Sequence, residues 1–169
     1  MTALAEKSEG WTPRYFEQKF GFGSPALVVH TPEGEVRLHG YIDRIDVDAE
    51  GRLRVVDYKA GGAPIAADDL KDGRRLQLPL YALAARDALD LGEVAAGLYW
   101  HIGRAKESSL KLEKFEGGVP GAFETAKQHL AAHVAGIHAG RFQPEPPEGG
   151  CPSYCPAIRF CWRYKARGF

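Results

Sequence analysis

The sequence has little cysteine, no net charge and no long apolar run. Its only cysteines, Cys151, Cys155 and Cys161, fall together near the C-terminus, an odd and clustered set that does not fit a disulfide framework. The 22 basic residues are matched by 22 acidic ones, so overall charge does not advertise a nucleic-acid binder. Distribution matters more than the sum, because acids gathered as metal ligands offset local basic patches. No stretch approaches the roughly 20 apolar residues of a membrane-spanning helix. The opening MTALAEKSEG has neither the basic region nor the apolar region of a secretory signal. A soluble, cytoplasmic chain with no membrane association is therefore expected. At 169 residues and 44% hydrophobic content, it is long enough to bury one core.

What is present is concentrated between His39 and Lys59, in HGYIDRIDVDAEGRLRVVDYK. Gly40 to Val47 alternates apolar and polar positions, Glu50-Gly51 punctuates, and Leu53 to Lys59 follows, a pattern that predicts a β-hairpin. Asp57 and Lys59 are two apart and leave the same face of one strand, where Asp43 on the neighbouring strand meets them. Two carboxylates sharing a small space repel, and one pKa is raised unless a cation sits between them. Mg²⁺, or Mn²⁺ in its place, suits such a pair because it takes oxygen ligands and needs only one or two carboxylates beside substrate phosphate. The carbonyl of Tyr58 is a candidate further ligand. Lys59 would orient a water or neutralise developing charge. The constellation is one of metal-assisted hydrolysis. A surface ion pair has the same D-x-K spacing, and the motifs around it weigh against that reading.

Around the hairpin, residues 1–10 read as a flexible start, and Thr12 to Phe22 and Ala26 to Thr31 as strands. Pro32 to Glu35 is a turn, after which Val36 to Asp48 is expected to run as one strand. Ala60 to Pro64 breaks the chain after Lys59, and Asp68 to Gly73 is a polar lead-in. A helix is expected from about Arg74 to Asp90, with Pro79 tolerated if the first turn begins near Leu76. Gln77 and Tyr81, four apart, share a face that can point at Asp43 and Asp57, while Leu80, Leu83 and Ala84 face the core. Val94 to Ile102 reads as an inner strand, Leu110 to Phe115 as an outer one and Phe123 to His138 as a helix. His129 and His133 have zinc-ligand spacing but lack the glutamate of H-E-x-x-H, so a solvated face is the better reading. Basic residues gather at Lys71, Arg74 and Arg75 and again at Arg159, Arg163, Lys165 and Arg167, where they either contact phosphate or lie on a solvated surface. Phe142 to Gly150 is a stiff linker to the cysteine tail. Thiolates at C-x3-C-x5-C spacing bind zinc or an iron–sulfur cluster, or remain uncoordinated.

G-Y-I-D-R-I-D, then V-V-D-Y-K-A-G, then L-Q-L-P-L-Y-A-L-A resemble the nuclease domain of the RecB/AddB type in the PD-(D/E)XK superfamily, over roughly residues 11–165. The resemblance implies an α/β, restriction-endonuclease-like core with a central mixed β-sheet flanked by helices, over residues 1–142. A linker and a cysteine-containing tail packed on that core would occupy 143–169. It puts Asp43 on the first metal-binding aspartate, Asp57 on the second acid and Lys59 on the active-site lysine. Gln77 and Tyr81 match the glutamine and tyrosine of the following helix. Gln77 joins the catalytic set, and Tyr81 with Arg74 and Arg75 is expected to contact DNA. Glu17 resembles a strand glutamate upstream of the first motif. The implied activity is a metal-dependent DNA nuclease, an exonuclease working with a helicase in repair or recombination. The alternative is a non-catalytic DNA-binding or scaffolding domain of a helicase–nuclease complex. Cys151, Cys155 and Cys161 resemble three of the four ligands of a [4Fe–4S] cluster. The family's fourth cysteine and an N-terminal helix lie upstream of these motifs, so the chain is expected to be either a C-terminal portion of a longer nuclease or a shortened relative.

Overall fold

The computed structural model describes residues 10–61, 64–146 and 149–165. The expectation for residues 1–10 thus lies outside the described residues except at Gly10, and Arg167 lies outside them too. The chain forms two compact units, residues 1–133 and 134–169. The first contains a five-stranded sheet in the order β1 (Thr12–Phe20), β4 (Gly40–Val47), β5 (Leu53–Lys59), β6 (Val94–His101), β7 (Lys106–Lys111). A separate two-stranded sheet joins β2 (Leu27–Thr31) and β3 (Gly34–Leu38). The large sheet is mixed, because β5 and β6 run parallel while its other neighbours are antiparallel. The helices are α1 (Ala67–Lys71), α2 (Gln77–Leu83), which runs into a π-helical turn at Ala84–Ala88, and α3 (Gly118–His138). This is the expected α/β architecture.

Alternation decides what each side of the sheet does. Ile45, Leu53, Val55 and Tyr99 pack with Leu78, Ala82 and Leu83 of α2 and with Ala122 and Ala126 of α3 in one buried core. Close packing of Leu112 on the sheet depends on Gly97 in β6, where a Cβ would lie 2.6 Å from the Leu112 side chain. The other side carries a smaller apolar cluster of Val56, Leu98 and Trp100 beside a buried charge network. Asp46, 0% exposed, takes two hydrogen bonds from Arg44 at 2.5 and 3.0 Å and two from Arg54 at 3.0 and 2.6 Å. Arg44 also donates to the Tyr58 hydroxyl at 3.2 Å, and Arg54 lies 5.0 Å from the Trp11 ring.

Several boundaries differ from the sequence expectation. Val36 to Asp48 is not one strand: β3 leaves to pair with β2, and the main sheet begins again at Gly40. The break falls at His39, whose Cβ sits 2.4 Å from where a Cβ on Gly21 would be and whose ring meets that of Phe22 at 4.5 Å, tilted by 59°. The lead-in after residue 66 is the short helix α1, started by the Asp69 carboxylate accepting from the Ala66 N–H at 2.8 Å. The next helix begins at Gln77 rather than Arg74, which puts Pro79 in its first turn, where no intrahelical N–H is lost. The outer strand spans Lys106–Lys111, and Leu112–Lys114 is a 3₁₀ turn. The last helix starts at Gly118, ahead of Phe123. His129 and His133 are hydrogen-bonded to the Lys71 and Gly73 carbonyls at 2.7 and 3.4 Å, closing the C-terminal end of α1.

Asp46 is shared by two buried guanidinium groups, so Asp46→Ala removes the charge that compensates both. The expected cost is about 3–5 kcal/mol, read as a lower urea midpoint at unchanged m-value; a midpoint within error of the wild type contradicts it.

Candidate active site

The β4–β5 ladder pairs Val47 with Leu53, Asp46 with Arg54, Ile45 with Val55 and Arg44 with Val56. One step further, the same register brings Asp43 opposite Asp57. The ladder stops there, and the Asp43 Oδ2 accepts the Tyr58 N–H at 2.8 Å. A side chain thus takes the place of a strand carbonyl and fixes the Asp43 carboxylate at the mouth of the hairpin. Asp57 is 1% exposed. Lys59 Nζ lies 2.6 Å from its Oδ2 as an ion pair, and no other donor reaches either Asp57 oxygen among the described residues. Burial pushes the Asp57 carboxyl pKa up. Lys59 pulls against that rise, the nearby Asp43 charge adds to it, and Arg75 opposes it at longer range.

Lys59 is held from three sides. It donates to Gln77 Oε1 at 2.7 Å, pairs with Asp57, and lies 5.2 Å from the centre of the Tyr99 ring. Parallel pairing of β5 with β6 sets Tyr99 beside Asp57 and His101 beside Lys59. Tyr99 is completely buried, and its hydroxyl accepts the Leu78 N–H at 3.2 Å, which ties the first turn of α2 to the sheet. Burial also holds its pKa well above that of an ordinary phenol. Gln77 is the first residue of α2, so the Tyr99 contact fixes the base of the side chain that holds Lys59. Tyr99 gave no signal in the sequence: it lies in an apolar run, and its partnership with Asp57 exists only through the parallel register.

The remaining expected residues are distributed around this centre. Arg75 makes no ion pair among the described residues and acts electrostatically on both Asp57 and Tyr99. Arg74 is engaged by Asp72 at 2.8 Å and Asp69 at 3.4 Å, and Lys71 by Glu116 at 3.4 Å. Tyr81 packs edge-on against Phe20 at 5.7 Å and over Gly40. Glu17 has a left-handed backbone, φ 46°, rare for a side-chain-bearing residue inside a strand. It lines a hollow of about 490 Å³ with Phe16, Asp43 and Tyr58.

A hard cation fits the acid pair: two carboxylates lie close together, and one is buried with Lys59 as its single close partner among the described residues. Among the described residues no group of three or more His, Cys, Asp or Glu side chains converges, so Glu17 stands apart from the pair. The same holds for the tail. Cys151, Cys155 and Cys161 are free thiols that do not gather into one cage, and the arrangement as it stands does not fit an iron–sulfur cluster.

A profile of the PD-(D/E)XK nuclease superfamily matches residues 1–162. The chain belongs to that superfamily. PD-(D/E)XK nucleases generally use divalent metals, in keeping with the acid pair. Three bacterial relatives are each named as a subunit of an ATP-dependent helicase/deoxyribonuclease. The protein of Leuconostoc citreum is 37% identical over 114 residues, 63% of this chain and 10% of its own length. That of Moorella thermoacetica is 46% identical over 102 residues, 50% of this chain and 9% of its own. For Desulforudis audaxviator the figures are 44% over 71 residues, 35% and 6%. The chain spans a tenth or less of the length of these relatives. No helix among the described residues is long and apolar enough to cross a membrane.

The raised pKa of Asp57 has a signed consequence. A carboxyl whose pKa is higher folded than unfolded stabilises the fold below its unfolded pKa, and that contribution is lost as pH rises through the folded value. In EDTA, Asp57→Asn is therefore expected to melt above the wild type at pH 7, and the two melting curves to converge on acidification through the carboxylate range. A gap independent of pH contradicts the assignment.

Proposed function

We propose that this chain is a divalent-cation-dependent deoxyribonuclease domain that hydrolyses phosphodiester bonds, acting as an exonuclease beside a helicase in DNA repair or recombination. The observation that carries the reading is the Asp57 carboxylate, buried beside Asp43 with the Lys59 ammonium as its one close partner among the described residues. A buried anion beside a second carboxylate costs stability as a structural element and serves well as a cation ligand. Asp43, Asp57 and the Tyr58 carbonyl oxygen would hold Mg²⁺ or Mn²⁺. Bound there, the cation neutralises the acid pair, polarises a phosphoryl oxygen and lowers the pKa of water.

The chain's own groups do the rest. Gln77 and Asp57 fix the Lys59 ammonium at the rim of the acid pair, leaving an N–H for the scissile phosphate or the attacking water. Its charge offsets the negative charge that grows on the phosphoryl oxygens, and its fixed position means that little reorganisation is needed. Arg75, which makes no ion pair among the described residues, adds a cation that acts on the same point and is suited to a flanking phosphate. Arg74 would exchange Asp69 and Asp72 for phosphate, and Tyr81 would offer the edge of its ring to the substrate. DNA as substrate and a helicase as partner are suggested by what the relatives are named.

Lys59→Ala is expected to lower Mg²⁺- or Mn²⁺-dependent cleavage of a labelled DNA oligonucleotide by about a hundred- to a thousand-fold, with the circular dichroism spectrum unchanged. Full activity in that variant removes the mechanism. Binding of DNA by the wild type without cleavage in either metal favours a scaffolding role.

A further inference from the structure

Beyond the acid pair, the sheet carries a second, basic concavity. In-register pairing across three adjacent strands aligns Lys59 of β5 with His101 of β6, and His101 with Lys106 of β7. Beside this line lies a hollow of about 300 Å³ whose walls include Ile65, His101, Arg104, Lys106, Glu107 and Ser109. Its structure is fixed from below. Ser109 Oγ and the Leu110 N–H both donate to the Ile65 carbonyl, at 3.1 and 3.2 Å, and Ser108 Oγ donates to the Leu110 carbonyl at 2.8 Å. His101 is 3% exposed, and its Nδ1 must carry the hydrogen, because its partner at 3.1 Å is the Gly61 carbonyl. That bond ties β6 to the segment that follows Lys59.

The cations at the rim are exposed and uncommitted. Arg104 and Lys106 make no ion pair among the described residues, while Glu107, the acid next to them, is engaged by Lys111. Ala105 between them is left-handed, φ 48°, so the chain reverses tightly and presents both cations on one short tip. That tip lies over the active-site loop: a Cβ on Gly103 would be 4.0 Å from the Ala60 carbonyl oxygen. Two strand spacings, about 10 Å, separate Lys59 from Lys106, so phosphates seated at the two belong to different nucleotides.

We propose that the hollow between the β6–β7 tip and Ile65 is a phosphate subsite, in which Arg104 and Lys106 hold the backbone of a single DNA strand on the β7 side of the cleavage point. The inference rests on the deoxyribonuclease reading for the identity of its ligand. It goes beyond that reading in naming where the uncut part of the strand lies. A strand crossing the acid pair towards β6 and β7 meets Arg104 and Lys106, two exposed cations that make no ion pair among the described residues. Contacts of this kind neutralise backbone charge without reading bases, so the subsite is indifferent to sequence and sensitive to salt.

The test is binding of a fluorescein-labelled single-stranded oligonucleotide in Ca²⁺, followed by anisotropy over a range of salt, with the oligonucleotide checked for integrity afterwards. Arg104→Ala/Lys106→Ala is compared with wild type and with Arg37→Ala/Lys127→Ala, which removes the same charge elsewhere. The expected result is several-fold weaker binding only in the first variant, with a salt slope shallower by about 1.4, the value for two lost contacts to a single strand. Equal affinity and slope in all three proteins overturns the subsite. Parallel cleavage assays of the wild type in Mg²⁺ and Mn²⁺ separate the two ideas: an unaltered variant beside an active wild type sinks the subsite alone. A weakened variant beside an inactive wild type sustains the subsite and removes hydrolysis. A wild type that neither binds nor cuts overturns both.

Discussion

A carboxylate kept from water beside a second carboxylate, with one lysine to compensate it, is the constraint on which this structure turns. Folding places Asp57 there because β5 is an inner strand, flanked by β4 and β6 and covered by α2. Everything nearby answers that charge. Lys59 leans back along its own strand, Gln77 keeps the ammonium in place, and Tyr99 supports both the lysine and the helix that carries the glutamine. Burial and the nearby Asp43 charge raise the Asp57 pKa while Lys59 opposes them, and a cation bound at the pair would favour the carboxylate form.

The same two strands handle charge in opposite ways on their two sides. Asp46, three residues from Asp43, is also buried but is saturated by four guanidinium hydrogen bonds. One aspartate is therefore finished as a structural element, and the other is left chemically open. Because side chains alternate, the saturated network can stiffen the backbone of β4 and β5 without occupying any of the space in front of Asp43 and Asp57.

How far the sequence was readable follows from range. The hairpin was legible because its alternation and its Glu50-Gly51 turn are local, and the position of Asp43 against Asp57 follows from them. The helix expected from about Arg74 begins at Gln77, close to the first turn near Leu76 that Pro79 requires. The split between β3 and β4 was not legible, since apolar alternation runs on through His39 and the break comes from Gly21 and Phe22, far back in the chain. Lys106 to Ser109 lacks strand-forming residues and is a strand because β6 pairs with it. Gly118 to Gly121 looks like a loop and is the first turn of α3. At the site, the acids and the lysine could be read; Tyr99 and His101 could not, because parallel register across a long crossover has no local trace.

The irregular course of β1 has one more effect. Pro13 withholds an N–H, the pairing slips between Pro13 and Tyr15, and Glu17 turns left-handed, all on an outermost strand of the sheet. An edge kinked in this way offers no even ladder of free backbone groups, so a neighbouring molecule finds no template for strand addition. The distortion that brings Glu17 to the rim of the hollow thus also guards the sheet against growth by edge-to-edge aggregation.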